Sequence, residues 1–362
     1  MGLPRVLHVA QPVDAGVARC VAQWADAQRQ DGVDVHVACP PGGHLTDDLT
    51  RAGVPVHRWA ASRSPGPTVP AETRALARIV AEVDPGLVHL HSAKAGLAGR
   101  LAVRGRRPTA FSPHAWSFDA VTGPVRAASL AWERAATRWT SLLVCVSDAE
   151  RMRGRDALVR PRRTAVVPNG VDLRALSPAT AQDRARARAD LGLADGPLAV
   201  CVGRLARQKG QDVLVEAFDV VRRELPDATL VLVGDGPDRP ALTGRGAVLV
   251  GDRDDVADWL AAADVVVVPS RWEGMALVPL EAMARARSVV ASDVTGVRES
   301  VPYGAGAIVA PDDAAALAAA LTPRLRDGAD HEGLVGRAHV ERHHDLAVTV
   351  ARLAEAYLEA LA

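Results

Sequence analysis

Two cations and two carboxylates in the second half of the chain, Arg204, Lys209, Glu273 and Glu281, have the types and spacing to handle a phosphorylated, hydroxyl-rich ligand. Residues 263–300 read ADVVVVPSRWEGMALVPLEAMARARSVVASDVTGVRES. Asp264 opens a short apolar strand (265–268), and a Pro269-Ser270 turn leads to Glu273-Gly274. A helix carrying Glu281 then precedes a second strand (289–291). Strand, loop, helix and strand make one parallel crossover unit. Its loop brings a carboxylate and a glycine to a helix N-terminus, where unpaired backbone N–H groups favour anions. Gly274, Met275, Ala276 and Leu277 supply that stretch of backbone. Glu273 lies on the loop and Glu281 one to two turns into the helix, so both can face one ligand: a phosphate at the helix start with a sugar beside it.

The same half opens with Val202-Gly203-Arg204-Leu205 and runs on to Lys209-Gly210. A strand ends at a glycine and two cations follow at a helix start, which suits the neutralisation of a diphosphate. Charge-assisted hydrogen bonds of this kind contribute about 1.5–3 kcal/mol each. The chain has no G-x-x-x-x-G-K-[ST] and no G-x-G-x-x-G after its first strand, so P-loop and dinucleotide readings are poor.

The run EGMALVPLEAMA (273–284) fits an EG-x-x-L-V-x-L-EAMA pattern. It resembles the nucleotide-sugar site of the retaining glycosyltransferases of group 1 (family 4), and the likeness extends over nearly the whole chain. The resemblance implies a GT-B fold, an α/β architecture of two Rossmann-like doubly wound parallel-sheet domains facing a central cleft. It implies that Arg204 and Lys209 hold the donor pyrophosphate, that Glu281 accepts hydrogen bonds from ribose hydroxyls, and that Glu273 reaches hydroxyls of the transferred sugar. Backbone amides from Gly274 to Leu277 would meet the phosphate or sugar. Asp235, in the strand-to-turn signature Val233-Gly234-Asp235-Gly236-Pro237, would border the nucleotide with Gly203, and Gly251 and Arg253 would lie near the base. The donor would be a UDP-, GDP- or dTDP-type sugar, with no metal and no other cofactor.

In the first half, QPVDAGVAR (11–19) follows the first strand. The family usually has two glycines and a Glu-Arg here; this chain has Ala15-Gly16 and lacks the glutamate. Gly16 can still border the diphosphate. His89-Leu90-His91-Ser92-Ala93-Lys94 ends another strand, and Lys94 is a candidate for the acceptor side. Two histidines at i, i+2 without a third ligand are a weak metal motif. Phe111-Ser112-Pro113-His114-Ala115-Trp116 resembles a family segment whose histidine lies beside the reacting sugar, so His114 is expected to position that sugar and Trp116 to lie near the acceptor. Pro168-Asn169-Gly170-Val171-Asp172 matches a family turn whose role is structural.

Composition narrows the field further. The chain has 362 residues, 48% hydrophobic, which fits two domains of ordinary size. Net charge is zero, which argues against general nucleic-acid binding. Residues 1–175 carry 23 basic and 15 acidic residues and the remainder 20 and 28. The basic half, with arginine-rich stretches at 100–107 and 151–163, could touch an acidic acceptor or an anionic membrane surface, or be ordinary solvated surface. Of 43 basic residues only Lys94 and Lys209 are lysine, so each suggests a need for a compact point charge. The four cysteines are scattered without metal-ligand spacing and read as buried thiols. With no apolar run near the roughly 18 residues that span a bilayer, and no signal pattern, a cytoplasmic protein is expected, with peripheral membrane contact as an option.

Strand and helix patterns alternate in both halves, as a doubly wound parallel sheet requires. The expected division is an acceptor domain over 1–174, joined by a final amphipathic helix over 345–362, a linker over 175–197, and a donor domain over 198–344. The expected activity is transfer of a hexosyl-type sugar from a nucleotide diphosphate donor to an acceptor hydroxyl with retention of configuration. Two rivals are a GT-B UDP-sugar 2-epimerase, which needs an acid/base pair, and a non-catalytic nucleotide-sugar-binding subunit.

Overall fold

The computed structural model describes residues 2–362, which divide into two compact units, one of residues up to 169 with 346–362 and one of residues 170–345. The first unit alternates β1 (Val6–Ala10), α1 (Ala15–Gln30), β2 (Val35–Cys39), α2 (Gly43–Arg51), β3 (Val56–Arg58), α3 (Val69–Val83), β4 (Leu87–His91), α4 (Ser92–Val103), β5 (Thr109–Ser112), α5 (Gly123–Ala136), β6 (Leu142–Cys145), α6 (Asp148–Asp156) and β7 (Thr164–Val166). Its seven parallel strands run in the order β3-β2-β1-β4-β5-β6-β7. Strand order therefore reverses between β1 and β4. In open α/β sheets, ligands bind outside the strand C-termini at such a reversal.

The second unit comprises α7 (Ala181–Asp190), β8 (Leu198–Val202), α8 (Gln211–Glu224), β9 (Thr229–Val233), α9 (Arg239–Leu242), β10 (Val248–Gly251), α10 (Val256–Ala262), β11 (Val265–Val268), α11 (Leu277–Ala284), β12 (Ser288–Ser292), α12 (Val297–Ser300), β13 (Gly306–Val309), α13 (Ala314–Asp327) and α14 (Asp330–His343). Six parallel strands lie in the order β10-β9-β8-β11-β12-β13, reversing between β8 and β11. The sheet is valine-rich and buried on both faces, as continuous apolar strands demand: Val265 and Val267 pack with Leu214, Phe218, Leu317 and Leu321 in one core. The last helix, α15 (Leu346–Leu361), belongs to the first unit and buries Val350, Leu353 and Tyr357.

The stretch 175–197, expected as a linker, lies inside the second unit. Thr180 and Asp183 form a reciprocal capping box at the start of α7. Arg188 then donates to Asp264 (2.8 Å), which also accepts the Leu198 N–H (2.8 Å). Asp264 thus anchors α7 to the start of β8 and β11.

Candidate functional site

In the second unit the loops after β8 and β11, the two strands at the reversal, converge. Lys209 ends a 3-10 turn (Arg207–Lys209), and Glu273 follows the Pro269-Ser270 turn. Lys209 Nζ lies 2.5 Å from Glu273 Oε1, which also accepts from Ser270 Oγ (2.8 Å). The backbone of one loop is tied to the other, since the Arg271 N–H donates to the Gln208 carbonyl (2.8 Å) and Gln208 Nε2 to the Trp272 carbonyl (3.0 Å). Gly210 makes the approach feasible. Its φ is +67°, and a Cβ there would stand 2.0 Å from the Pro269 carbonyl oxygen.

Helix α11 starts directly after this loop. Ala276 is its N-cap in extended conformation and makes no side-chain capping bond to the first turn. Pro279 fits the first turn, where its missing N–H costs nothing. Glu281 sits further along the helix and is 4% exposed. A small cavity of about 10 Å³, the size of one water molecule, opens beside Glu273 and Ala276, lined also by Ser292 and Thr295. The other donor-side candidates occupy the neighbouring strand ends. Arg204 is half-buried after Gly203, and its carbonyl accepts from Gln211 Nε2 (3.1 Å). Asp235 accepts from the Gly236 N–H and faces Arg239, the Gly251 carbonyl accepts the Gly234 N–H (2.7 Å), and Arg253 is held by Asp255 at 2.8 and 2.5 Å.

In the first unit, backbone strain gathers at the C-terminal ends of β1, β4 and β5. Ala15, Ser92, His114 and Ala115 all have positive φ, at 65°, 68°, 52° and 98°. L-residues pay for that conformation, and such strain concentrates at functional sites. Glu150, fully buried, holds the His114-Ala115 turn: its Oε1 accepts the Ala115 N–H (2.7 Å) and its Oε2 the Val146 N–H (2.9 Å). Ala15 occupies the left-handed position that a glycine would take, and Gly16 beside it is open to solvent.

Beneath these loops lies a buried imidazole network. His8 on β1 and His89 on β4 are register partners, so their side chains share a face with His91 two residues on. His8 Nε2 stands 2.8 Å from Gln28 Oε1, His8 Nδ1 2.9 Å from His91 Nε2, and His91 Nδ1 3.0 Å from His114 Nε2. His89 bridges the Tyr357 hydroxyl (2.5 Å) and Ser112 Oγ (2.8 Å). Burial pushes His8 and His114 down to about 4, the hydrogen bond of His8 to Gln28 partly offsetting the effect at His8. Burial, then the neighbouring imidazoles, hold His89 and His91 well below the ordinary range.

Several expectations need correcting. Lys94 does not face an acceptor. It is 2% exposed, pairs with Glu72 at 2.6 Å and donates to Ser62 Oγ and the Ser64 carbonyl, so its three N–H groups are spent on the 62–72 segment. Trp116 is core: its Nε1 donates to the Glu150 carbonyl (2.8 Å) and its ring stacks on Phe118. Arg100, counted in a basic stretch, is buried against Glu133 (2.8 Å) under the Phe111 ring. The histidine pair does have a third member, because the fold brings His8 to His89 and His91 with ligand atoms within 4.8 Å. Every ring nitrogen of the three already has a protein hydrogen-bond partner, however, which favours a hydrogen-bonded network over a coordination site.

Sequence reasoning missed Ser270, Gln28 and His8. Only Gln28 left a trace, as the polar member of the buried Val21, Trp24, Ala25 and Gln28 stripe of α1. All four cysteines are buried free thiols. Among the described residues no helix is long and apolar enough to cross a membrane.

Residues 196–327 match the sequence profile of a family described as glycosyl transferases group 1, and residues 15–175 that of glycosyltransferase family 4. The chain is 28% identical to the UDP-Gal:alpha-D-GlcNAc-diphosphoundecaprenol alpha-1,3-galactosyltransferase of Escherichia coli, over 81% of this chain and 80% of that one. It is 31% identical to the alpha-maltose-1-phosphate synthase of Mycolicibacterium smegmatis, over 75% and 81%. The crystal structure of Anabaena HepE in complex with UDP-glucose superimposes with a TM-score of 0.83 and 23% identity, covering 97% of this chain and 98% of HepE. That likeness establishes the GT-B fold.

Proposed function

The chain belongs to the group 1, family 4 glycosyltransferases, and on that premise we propose that it moves a hexosyl-type sugar from a nucleoside diphosphate donor to an acceptor hydroxyl, retaining the anomeric configuration and using no metal ion. The observation that carries this reading is the Lys209–Glu273 pair, held by Ser270 beside the start of α11 at the strand-order reversal of the second sheet. Cation, carboxylate and backbone amides are the groups a sugar diphosphate needs: charge for the phosphates, an acceptor for sugar hydroxyls, and fixed dipoles for the departing oxygen.

Arg204 and Lys209 take the diphosphate, with the amides of Gly274, Met275, Ala276 and Leu277. Glu281 takes the ribose and Glu273 the sugar hydroxyls. Asp235, Gly203, Gly251 and Arg253 border the nucleotide, and the family resemblance assigns Gly16 to the diphosphate and His114 to the transferred sugar. An acceptor hydroxyl attacks the anomeric carbon on the face from which the diphosphate leaves. The C–O bond to the phosphate breaks, its electron pair goes to the phosphate oxygen, and that oxygen takes the acceptor's proton. The cations and amides stabilise the charge that develops on the diphosphate. The left-handed conformation of Ala15 keeps the loop after β1 in the form a glycine would give, which favours a working transferase over a non-catalytic binding subunit.

The E. coli relative is named for UDP-Gal and the Anabaena structure contains UDP-glucose, so UDP-hexoses are the first donors to try. A panel of nucleotides and nucleotide sugars is screened by thermal unfolding, and stabilising donors are then offered with acceptor alcohols. A donor at about 100 times its Kd adds about 2.7 kcal/mol. If no nucleoside diphosphate or its sugar stabilises the protein and none is turned over, the reading is wrong.

A further inference from the structure

The line from Gln28 through His8 and His91 to His114 lies within the first unit and has a direction. Each link joins two atoms, one of which must donate and the other accept, and a neutral imidazole offers one of each. The direction of the whole line is therefore set at its anchored end. That end is Gln28 Oε1, which can only accept, so His8 carries its proton on Nε2 and leaves Nδ1 bare. His91 must then donate from Nε2 to His8, and its own bare Nδ1 must receive the Nε2 proton of His114. His114 is left with an unprotonated Nδ1.

The burial of this line is costly in apolar terms. His8, His89 and His91 are fully buried in a parallel sheet whose other positions there are aliphatic. Every ring nitrogen of these three histidines is partnered, and polar groups paired in this way favour one arrangement. Trp24 packs against His89, His91 and His114, with ring centroids 5.8–6.1 Å apart. At the far end the strained His114-Ala115 turn is pinned by Glu150. The line has a closed end at an amide, so it cannot conduct protons to solvent through Gln28; it can only orient them.

We propose that Gln28, His8 and His91 are positioning residues that lock His114 in its Nε2–H tautomer, so that Nδ1 presents a lone pair to a hydroxyl of the sugar substrate. This rests on His114 meeting the transferred sugar, as set out above. It commits the site to a donor sugar with a hydroxyl in reach of Nδ1, so a donor whose corresponding hydroxyl is replaced by hydrogen is the poorer substrate.

The tautomers are read in the unliganded protein by long-range proton–nitrogen correlation on nitrogen-15 imidazoles near neutral pH. The expected pattern is protonated Nε2 and bare Nδ1 at His8, His91 and His114. A reversed or averaged pattern at His91 and His114, or a stoichiometric metal in the purified protein, overturns the proposal. Two variants carry it to function. Gln28→Met removes the acceptor and should average the His91 and His114 tautomers and lower kcat about tenfold, leaving KM for the donor and nucleoside diphosphate binding within about twofold. Gln28→Glu keeps an acceptor but sets a carboxylate against His8 that favours its imidazolium, whose Nδ1–H opposes the His91 proton, so it too should lose the tautomer pattern and lower kcat. If Gln28→Met only lowers the melting temperature and the folded enzyme turns over unchanged, the line is structural and the proposal falls. An active wild type with averaged tautomers refutes the lock, whereas a locked wild type that turns over no nucleotide sugar refutes the functional reading.

Discussion

Lys209 and Glu273 form an ion pair in which Nζ and Oε1 are 2.5 Å apart, with both side chains only partly exposed at 22% and 11%. Their loops leave adjacent strands at the reversal of the second sheet, so the pair gives each charge a partner before ligand arrives. Removing one member has different consequences from removing the other. Lys209→Ala deletes the phosphate cation and should lower kcat/KM at least tenfold, about 1.4 kcal/mol, and weaken the bare nucleoside diphosphate as well. Glu273→Gln should also cost about tenfold or more in kcat/KM, yet leave nucleoside diphosphate binding equal or tighter, because Lys209 loses its competitor. Steady-state kinetics with calorimetric titration of the diphosphate separates the two, and an unchanged kcat/KM for Lys209→Ala removes Lys209 from the mechanism.

Lys94 should prove to be a stability residue. Its ammonium and the Glu72 carboxylate are 2% and 3% exposed, and Glu72 also accepts from Ser62 and Thr68. Burial alone would raise the Glu72 pKa, but Lys94 and these donors outweigh it and hold it below the ordinary value. Breaking a buried pair from one side costs about 3–5 kcal/mol. Lys94→Ala should therefore shift the urea midpoint sharply, while the paired replacement Lys94→Met with Glu72→Leu recovers most of the loss. An acceptor role would instead show as a raised acceptor KM at unchanged stability.

The contrast between Lys209 and Lys94 shows what a sequence reveals and what it hides. Both follow an apolar strand among glycines, and both read as solvent-facing cations. The β8 and β11 units were each legible because valine runs, turns and helix starts mark Lys209 on one strand-end loop and Glu273 with the α11 amides on another, while their meeting at one ligand was implied by the family resemblance. Lys94 was not, because its partner lies on α3 and the covering 62–68 segment has no periodic signal. Helix α2 escaped notice because only Leu45 and Leu49 mark its buried face, and β3 because three residues carry no alternation. The histidine line depends on β1 pairing with β4 across two intervening strands, a register that no local pattern encodes. Residues 175–197 looked like a linker because α7 is polar nearly all round; Arg184 and Arg188 tie it to Asp264 in place of apolar packing.

The buried histidines make stability fall on mild acidification. His8, His89 and His91 have folded pKa values below the unfolded value, to about 4 for His8. The unfolded chain therefore binds more protons over the window from about 6.5 down to about 4, and stability is lost as pH drops through it. Each such group costs on the order of 1 kcal/mol by one pH unit below 6.5, so together they remove several kcal/mol. Urea unfolding followed from pH ~7.5 to ~5.5 should show a slope reaching about three protons or more at the acid end, since His114 and His339, each lowered to about 4, add to these three. A flat profile would mean that these imidazoles are charged in the folded protein.

The two loop residues held at positive φ should respond oppositely to exchange between glycine and alanine. Ala15 has φ 65° at an exposed helix start, so Ala15→Gly relieves backbone strain of about 1–2 kcal/mol, less the entropy a glycine adds to the unfolded chain. The net effect should be a gain of about 0.5–1 kcal/mol with donor turnover retained. Gly210→Ala combines the same strain with a Cβ 2.0 Å from the Pro269 carbonyl oxygen, which is backbone and cannot swing away. It must push the Lys209 loop off the Glu273 loop, so the nucleoside diphosphate should lose most of its stabilising effect in a thermal shift even where the variant folds. A Gly210→Ala enzyme that is stabilised by nucleoside diphosphate like the wild type would show that the Lys209 loop needs no contact with Pro269 to hold the phosphates.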